Sequence, residues 1–157
     1  MNESGAACRV AQAELGLLSD VKEDQVPPIL PDPFKRHLIG IVDDDEDVRI
    51  ALEALISSIG FVSEMFETAD ALLASGRLSL FDCVVTDLQM PGMNGLSLAR
   101  HIQATRPIPV VLITAFPAPG LDVQAKAAGV RCLLRKPFDP IILIDELEAI
   151  FAGPPAD

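Results

Sequence analysis

From residue 38 onward, short unbroken apolar runs alternate with longer stretches in which apolar residues recur every three or four positions. The run Leu38-Ile-Gly-Ile-Val42 has no polar member, the composition of a strand buried on both faces of a parallel sheet. A helix follows over about 46–59, with Val48, Leu52, Leu55 and Ile59 on one face and Gly60 as its stop. The pattern then predicts a strand at 61–66 and a short helix capped by Thr68, running to Ser75 and closed by Gly76. A strand at 82–87, a helix from Gly95 to about Thr105 and a strand at 109–114 come next. A weaker, Ala-rich helix is expected between about 119 and 128, with Pro119 suited to its start and Gly129 ending it. The last strand covers 131–135, and Asp139-Pro140 opens a final helix with Ile144, Leu147 and Phe151 on one face. Five strands alternating with five helices predict a parallel sheet with right-handed crossovers.

Residues 1–37 read differently. Residues 7–18 suit a short helix without a clean apolar stripe, and residues 26–33 hold four prolines in eight positions, the composition of an extended linker. We therefore divide the chain into an N-terminal extension at 1–37, mostly disordered or linker, a folded domain at 38–151 and a short tail at 152–157.

Composition narrows the function classes. Half of the 157 residues are hydrophobic, enough for a full core, yet no segment approaches the ~20 apolar residues of a membrane span. The net charge of −11 and the lack of a basic stretch argue against direct nucleic-acid binding, which needs a basic face. Cys8, Cys83 and Cys132 have no metal-ligand spacing, and two of them fall in apolar strands, as reduced thiols of a cytoplasmic protein would. The acidic start at Glu3 and the absence of an apolar stretch before Cys8 are not what a secretory or lipoprotein leader would show, so none is expected.

The chemistry lies where the strands end. The first runs into Asp43-Asp44, the third ends in Asp87 before the turn Leu-Gln-Met-Pro91-Gly-Met-Asn-Gly95, the fourth ends in Thr114 and the fifth leads to Lys136-Pro137. In a doubly wound, flavodoxin-like sheet of order 2-1-3-4-5, the ends of strands one and three lie side by side at the switch point, where such sheets bind ligands. Asp43, Asp44 and Asp87 then converge. Two carboxylates 4 Å apart repel by about 4 kcal/mol at an effective dielectric near 20, so the cluster calls for a cation. All-oxygen donors with few protein ligands suit Mg²⁺, which keeps several waters and also takes phosphate oxygens.

Taken together, two acids, one acid, one hydroxyl and one amine at successive strand ends resemble the receiver domain of bacterial two-component response regulators, the CheY-like superfamily. The resemblance covers about 38–151. It implies that Asp87 accepts a phosphoryl group from a phosphohistidine, and that Asp44, Asp87 and the backbone carbonyl of Gln89 coordinate Mg²⁺ (or Mn²⁺), with Asp43 acting mainly through water. It further implies that Thr114 and Lys136 bind the phosphoryl oxygens, that the Lys136-Pro137 bond is cis, and that the small Ala115 sits beside the phosphoryl group. Gln89 and Phe116 stand where the family tunes dephosphorylation. Leu133 stands where it commonly carries a switch Tyr or Phe, so this chain departs from the pattern there. The implied partners are a sensor histidine kinase or histidine phosphotransfer protein and an output protein. The implied output face is helix four, strand five and helix five, which would also support a homodimer. No separate enzymatic turnover is implied beyond the chain's own phosphorylation and dephosphorylation.

Other readings fare less well. Asp43-x-Asp45-x-Asp47 begins like an EF-hand loop, but Val48 replaces the sharp-turn glycine and Ala54 the bidentate Glu. A haloacid-dehalogenase-like phosphatase would need Thr or Val where Asp47 stands, together with a cap domain. A receiver fragment of a larger DNA-binding response regulator stays open as an alternative.

Overall fold

The structure is a computed structural model and describes residues 36–152; the helix expected at 7–18, the linker at 26–33 and the tail beyond Ala152 lie outside the described residues. Ten regular elements alternate in the expected order: β1 (Leu38–Val42), α1 (Glu46–Ser58), β2 (Val62–Phe66), α2 (Ala69–Ala74), β3 (Cys83–Asp87), α3 (Gly95–Thr105), β4 (Val110–Thr114), α4 (Leu121–Ala127), β5 (Cys132–Arg135) and α5 (Pro140–Phe151). A 3-10 turn, Leu78–Leu80, precedes β3. The strands form one parallel sheet in the order β2-β1-β3-β4-β5.

The central strands β3 and β4 are buried at every position, so their side chains divide between two cores by alternation. Ile39, Ile41, Val85, Val111 and Ile113 pack on one face against Leu52 and Ile56 of α1 and Leu143 and Leu147 of α5. Val42, Val84, Val110 and Leu112 pack on the other, with Leu72 of α2, Leu98 and Ile102 of α3 and Leu121 of α4. Phe81, fully buried, lays its ring 3.6 Å from the point where a side chain on Gly40 would begin. The ring thus packs directly over Gly40, at a distance that is ordinary van der Waals contact.

Short polar residues start four of the helices by accepting a backbone N–H, each an arrangement worth about 1 kcal/mol. Asp45 accepts from Asp47, Thr68 from Ala71, Asn94 from Ser97 and Asp139 from Ile141. Two of these acids thus lie in stretches that also carry candidate chemistry.

The differences from the sequence reading are small and have physical causes. Four strands begin one residue later than expected. Asp82 and Arg131 donate to the carbonyls of Leu38 and Val110 from just outside the ladder, Pro109 has no N–H to give, and the Phe61 amide closes the end of α1 on the Ile56 carbonyl. Gly60, at φ +89°, turns the chain there. Helix α4 begins at Leu121 after Gly120, which leaves Pro119 in the loop rather than at the helix start. On α5 the buried positions are Leu143 and Leu147; Phe151 joins that face half-buried, whereas Ile144 lies outside it.

Gly95 is the packing point that seats α3 beneath the end of β3. A Cβ there would overlap the Asp87 carbonyl oxygen and the Leu112 side chain. The Gly95 amide donates to the Leu88 carbonyl at 2.9 Å, so the helix cannot slide away from the strand end without losing that bond. We expect Gly95→Ala to cost about 1–3 kcal/mol through overpacking, although alanine is the better helix former. Urea unfolding of the metal-free protein would read this directly, and an unchanged or higher midpoint would contradict it.

Candidate functional site

Strand register places the site. The β1–β3 ladder ends with Val42 opposite Thr86, so the next residues, Asp43 and Asp87, leave the sheet at one level. Asp87 in turn lies opposite Ile113, which sets Thr114 one step further along β4. Thr114 pairs with Arg135, and the Lys136 amide donates to the Thr114 carbonyl at 2.7 Å. The carboxyl edge of the sheet therefore carries Asp43, Asp87, Thr114 and Lys136 in neighbouring positions, with Asp44 beside them.

Carboxylate oxygens of Asp43, Asp44 and Asp87 all lie within 4.8 Å of one another. Asp43 and Asp87 are buried and Asp44 is exposed. Lys136 bridges the two buried acids, its Nζ lying 3.2 Å from Asp43 Oδ2 and 3.2 Å from Asp87 Oδ1. Burial is the largest influence on Asp87 and pushes its carboxyl above the usual range; the Asp43 charge adds to this, and the Lys136 ammonium opposes it. For Lys136 burial works against the charge, but the pull of Asp43 and Asp87 exceeds it and the ammonium is held more firmly than usual. The cation of the site is thus charged, and one of its acids holds its proton more readily than a free carboxyl.

Each polar group of Asp43 is engaged. Its N–H donates to the Phe66 carbonyl at 3.2 Å, its carbonyl accepts from Arg49 Nη1 at 2.6 Å, Oδ1 accepts from the Asp45 amide at 2.9 Å, and Oδ2 meets Lys136. Thr114 is almost fully buried, and its Oγ1 accepts the Phe116 amide at 3.0 Å, which leaves the hydroxyl proton available. Thr86 Oγ1 donates to the Asp87 carbonyl at 3.0 Å, fixing the peptide just beyond the acid.

All the residues singled out from the sequence fall at this end of the sheet or on the strands leading to it. Gln89 lies two residues past Asp87 in the turn, with its side chain exposed, and Phe116 is 68% exposed on the loop after β4. Leu133 is half-buried on β5, packed against the α2–α3–α4 side of the core. The Lys136-Pro137 peptide is cis. Arg49 and Thr86 were not singled out. Arg49 carries one sequence signal, a cation in the first turns of a helix whose positive end favours acids; Thr86 carries none. Beside Lys136 opens a groove of about 560 Å³ with an apolar lining that includes Val48, Leu52, Ala115 and Phe138. Among the described residues no helix is long and apolar enough to cross a membrane.

The response regulator receiver domain family matches residues 39–148. Chemotaxis protein CheY-3 of Vibrio cholerae is 37% identical over 122 residues, which cover 74% of this chain and 93% of CheY-3. The DNA-binding transcriptional regulator NtrC of Salmonella typhimurium is 34% identical over 118 residues, 74% of this chain but only 24% of NtrC, so the chain spans about a quarter of that relative. Among solved structures, a putative response regulator from Chloroflexus aurantiacus superposes with a TM-score of 0.69 at 27% identity, covering 76% of this chain and 100% of the other. With a parallel 2-1-3-4-5 sheet, an acid cluster at its carboxyl edge and a family match across nearly all of the described fold, the chain belongs to the response regulator receiver domain family.

Proposed function

We propose that Asp87 is the phosphoryl acceptor of this receiver, and that Asp43, Asp44 and Asp87, with the Gln89 carbonyl, hold Mg²⁺ while it accepts. The observation that carries this reading is the convergence of three carboxylates at the switch point of the sheet, the two buried ones bridged by Lys136. The donor set fits the cation: the three side chains supply hard oxygen ligands only, and the exposed Asp44 leaves one side open to water and phosphate. When bound, Mg²⁺ supplies positive charge to the phosphoryl oxygens and offsets the repulsion between the acids.

In the transfer, a carboxylate oxygen of Asp87 attacks the phosphorus of a phosphohistidine, an O–P bond forms, and the P–N bond breaks. The leaving imidazole nitrogen takes its proton from solvent. Lys136 gives up its contact with Asp87 Oδ1 for an oxygen of the arriving group, and Thr114 donates its free hydroxyl proton to another. This needs little movement, because Lys136 already touches the attacking carboxylate and its amide is tied to Thr114. The work is positioning and charge stabilisation rather than a new covalent device. The apolar groove beside Lys136 gives the protein carrying the phosphohistidine, a sensor histidine kinase or phosphotransfer protein, a surface next to Asp87.

The signal then passes to the face formed by α4, β5 and α5, where an output protein or a second copy of the chain would dock. Thr114 and Lys136 begin the loops leading to α4 and α5, and α4 has only Leu121 and Ala125 as buried anchors. Moving it therefore disrupts little core.

Three outcomes follow from these roles. With Mg²⁺ and a small acyl or amidophosphate donor, intact mass should show one added phosphoryl group, which Asp87→Asn or a chelator should abolish; equal labelling of the variant would remove Asp87 from its role.

A carboxyl whose folded pKa is raised favours folding below its unfolded pKa and loses that advantage as pH rises through the folded value. At neutral pH and without metal, ionised Asp87 therefore works against folding. Asp87→Asn should melt higher than the wild type in chelator at pH 7, a margin that shrinks as pH falls toward the carboxylate range.

Lys136→Ala removes a cation that competes for the same oxygens. It should leave Mg²⁺ affinity equal or tighter while impairing the phosphorylation-induced change in hydrogen exchange on α4, and Thr114→Ala should impair it more mildly. Loss of metal binding in Lys136→Ala with a normal response would contradict these roles.

A further inference from the structure

Arg49 is a cation where the helix dipole least favours one, in the first turns of a helix that opens with Glu46 and Asp47. Its guanidinium is nevertheless drawn inward, with a side chain only 12% exposed. Its closest polar contact is the backbone carbonyl of Asp43, which accepts from Nη1 at 2.6 Å. The second contact, Nη2 to Glu67 at 3.9 Å, reaches a carboxylate that is 77% exposed, and pairs of that kind contribute little. The contact that justifies the burial is therefore the one to Asp43.

That carbonyl belongs to the peptide joining the two acids. The Asp43 N–H is held by Phe66, and both carboxylate oxygens of Asp43 are held by the Asp45 amide and Lys136. Asp44, by contrast, is exposed. With Asp43 pinned on its other sides, the peptide plane that Arg49 grips sets the direction in which the Asp44 Cα–Cβ bond leaves the chain. We propose that Arg49 is a positioning residue for the cation: by holding the Asp43 carbonyl it aims the Asp44 carboxylate into the cluster. The inference rests on the proposed metal role of Asp43, Asp44 and Asp87. It concerns neither a metal ligand nor a phosphoryl contact, but the backbone between two ligands.

Two effects of opposite sign make it testable. If Arg49 acted only as a nearby positive charge, removing it would tighten Mg²⁺ binding, because one competing cation would be gone. If it acts by orientation, removing it loosens binding, and loss of a group that orients a ligand typically costs at least tenfold in metal affinity. Arg49→Met keeps an aliphatic stem while deleting both the donors and the charge, and Arg49→Lys keeps the charge and one donor group without the fork.

Mg²⁺ would be titrated calorimetrically into the full 157-residue chain, which has neither Trp nor Tyr to report binding by fluorescence. Melting in chelator, followed by circular dichroism, would check the fold of each variant. The expected result is an Mg²⁺ Kd roughly tenfold weaker in Arg49→Met and only a few-fold weaker in Arg49→Lys. An unchanged or tighter Kd in Arg49→Met overturns the proposal, as does Arg49→Lys binding no better than Arg49→Met. Should Arg49→Met not fold, Arg49→Lys carries the test alone: with charge retained, a weaker Kd upholds the role of the fork, and an equal or tighter one overturns it. Asp44→Asn separates this from the underlying reading. If that variant binds Mg²⁺ as the wild type does, the proposed metal site itself is wrong; if it loses binding while Arg49→Met does not, only the positioning role fails.

Discussion

Parallel pairing of β1 with β3 brings Asp43 and Asp87 out of the sheet at the same height, and the rest of the site follows from the repulsion this creates. Both acids are buried, so solvent cannot screen them well, and the free energy of their mutual approach has to be offset by the protein or by a ligand. The fold supplies one ammonium, Lys136, shared between the two carboxylates. One cation in contact with the carboxylates, against three acids, leaves the cluster short of neutrality. A divalent cation would complete the balance, and an arriving phosphoryl group would draw the same ammonium away from the carboxylates. The metal-free ion pairs and the proposed phosphoryl contacts therefore use one side chain in two arrangements.

This sharing was only partly legible in the sequence. The four strand ends could be read because burial on both faces makes a parallel strand an unbroken apolar run, and its first polar residue is then conspicuous. Asp43 and Thr114 stood out in that way, and Asp87 and Lys136 as the second polar residue at a strand end, after Thr86 and Arg135. What Lys136 touches could not be read, since its partners lie just past β1 and at the end of β3, and Asp43 is separated from it by 93 positions. The sequence suggested a phosphoryl oxygen for Lys136, whereas the structure has it on two carboxylates. Arg49 was missed for a different reason. Its partner is a backbone carbonyl, which every residue possesses, so no residue type marks the target.

The same reasoning explains the error on α5. Ile141, Ile142, Leu143 and Ile144 are all apolar, so periodicity within the helix could not select a face. The sheet selects it: Leu143 and Leu147 join the core between α1 and the central strands, while Ile141 and Ile142 stay 60% and 50% exposed. Those exposed isoleucines lie on the helix that contributes to the proposed output face. An apolar surface of this kind is a reason to look for a partner there. The dehalogenase-like alternative loses its basis too, since membership of the receiver family accounts for the acidic strand end on which it rested.

Leu133 bears on how a change at Asp87 could reach that face. Where relatives commonly place a ring that rotates, this chain has a half-buried aliphatic side chain packed with the α2–α3–α4 side of the core. A leucine that changes rotamer exposes or buries far less surface than an aromatic ring does, so it can bias the two states by less. A near-complete population shift needs a differential of about 5.5 kcal/mol, which then has to come from larger pieces of backbone. The connection available is the one from Lys136 through its amide to the Thr114 carbonyl, which ties the ends of β4 and β5 together, and from Thr114 Oγ1 to the Phe116 amide at the start of the loop. Pulling Thr114 toward a phosphoryl group would drag that loop, and with it the exposed Phe116 and the lightly anchored α4. On the proposed reading, the part that would move is thus the β4–α4 loop rather than a side chain on β5.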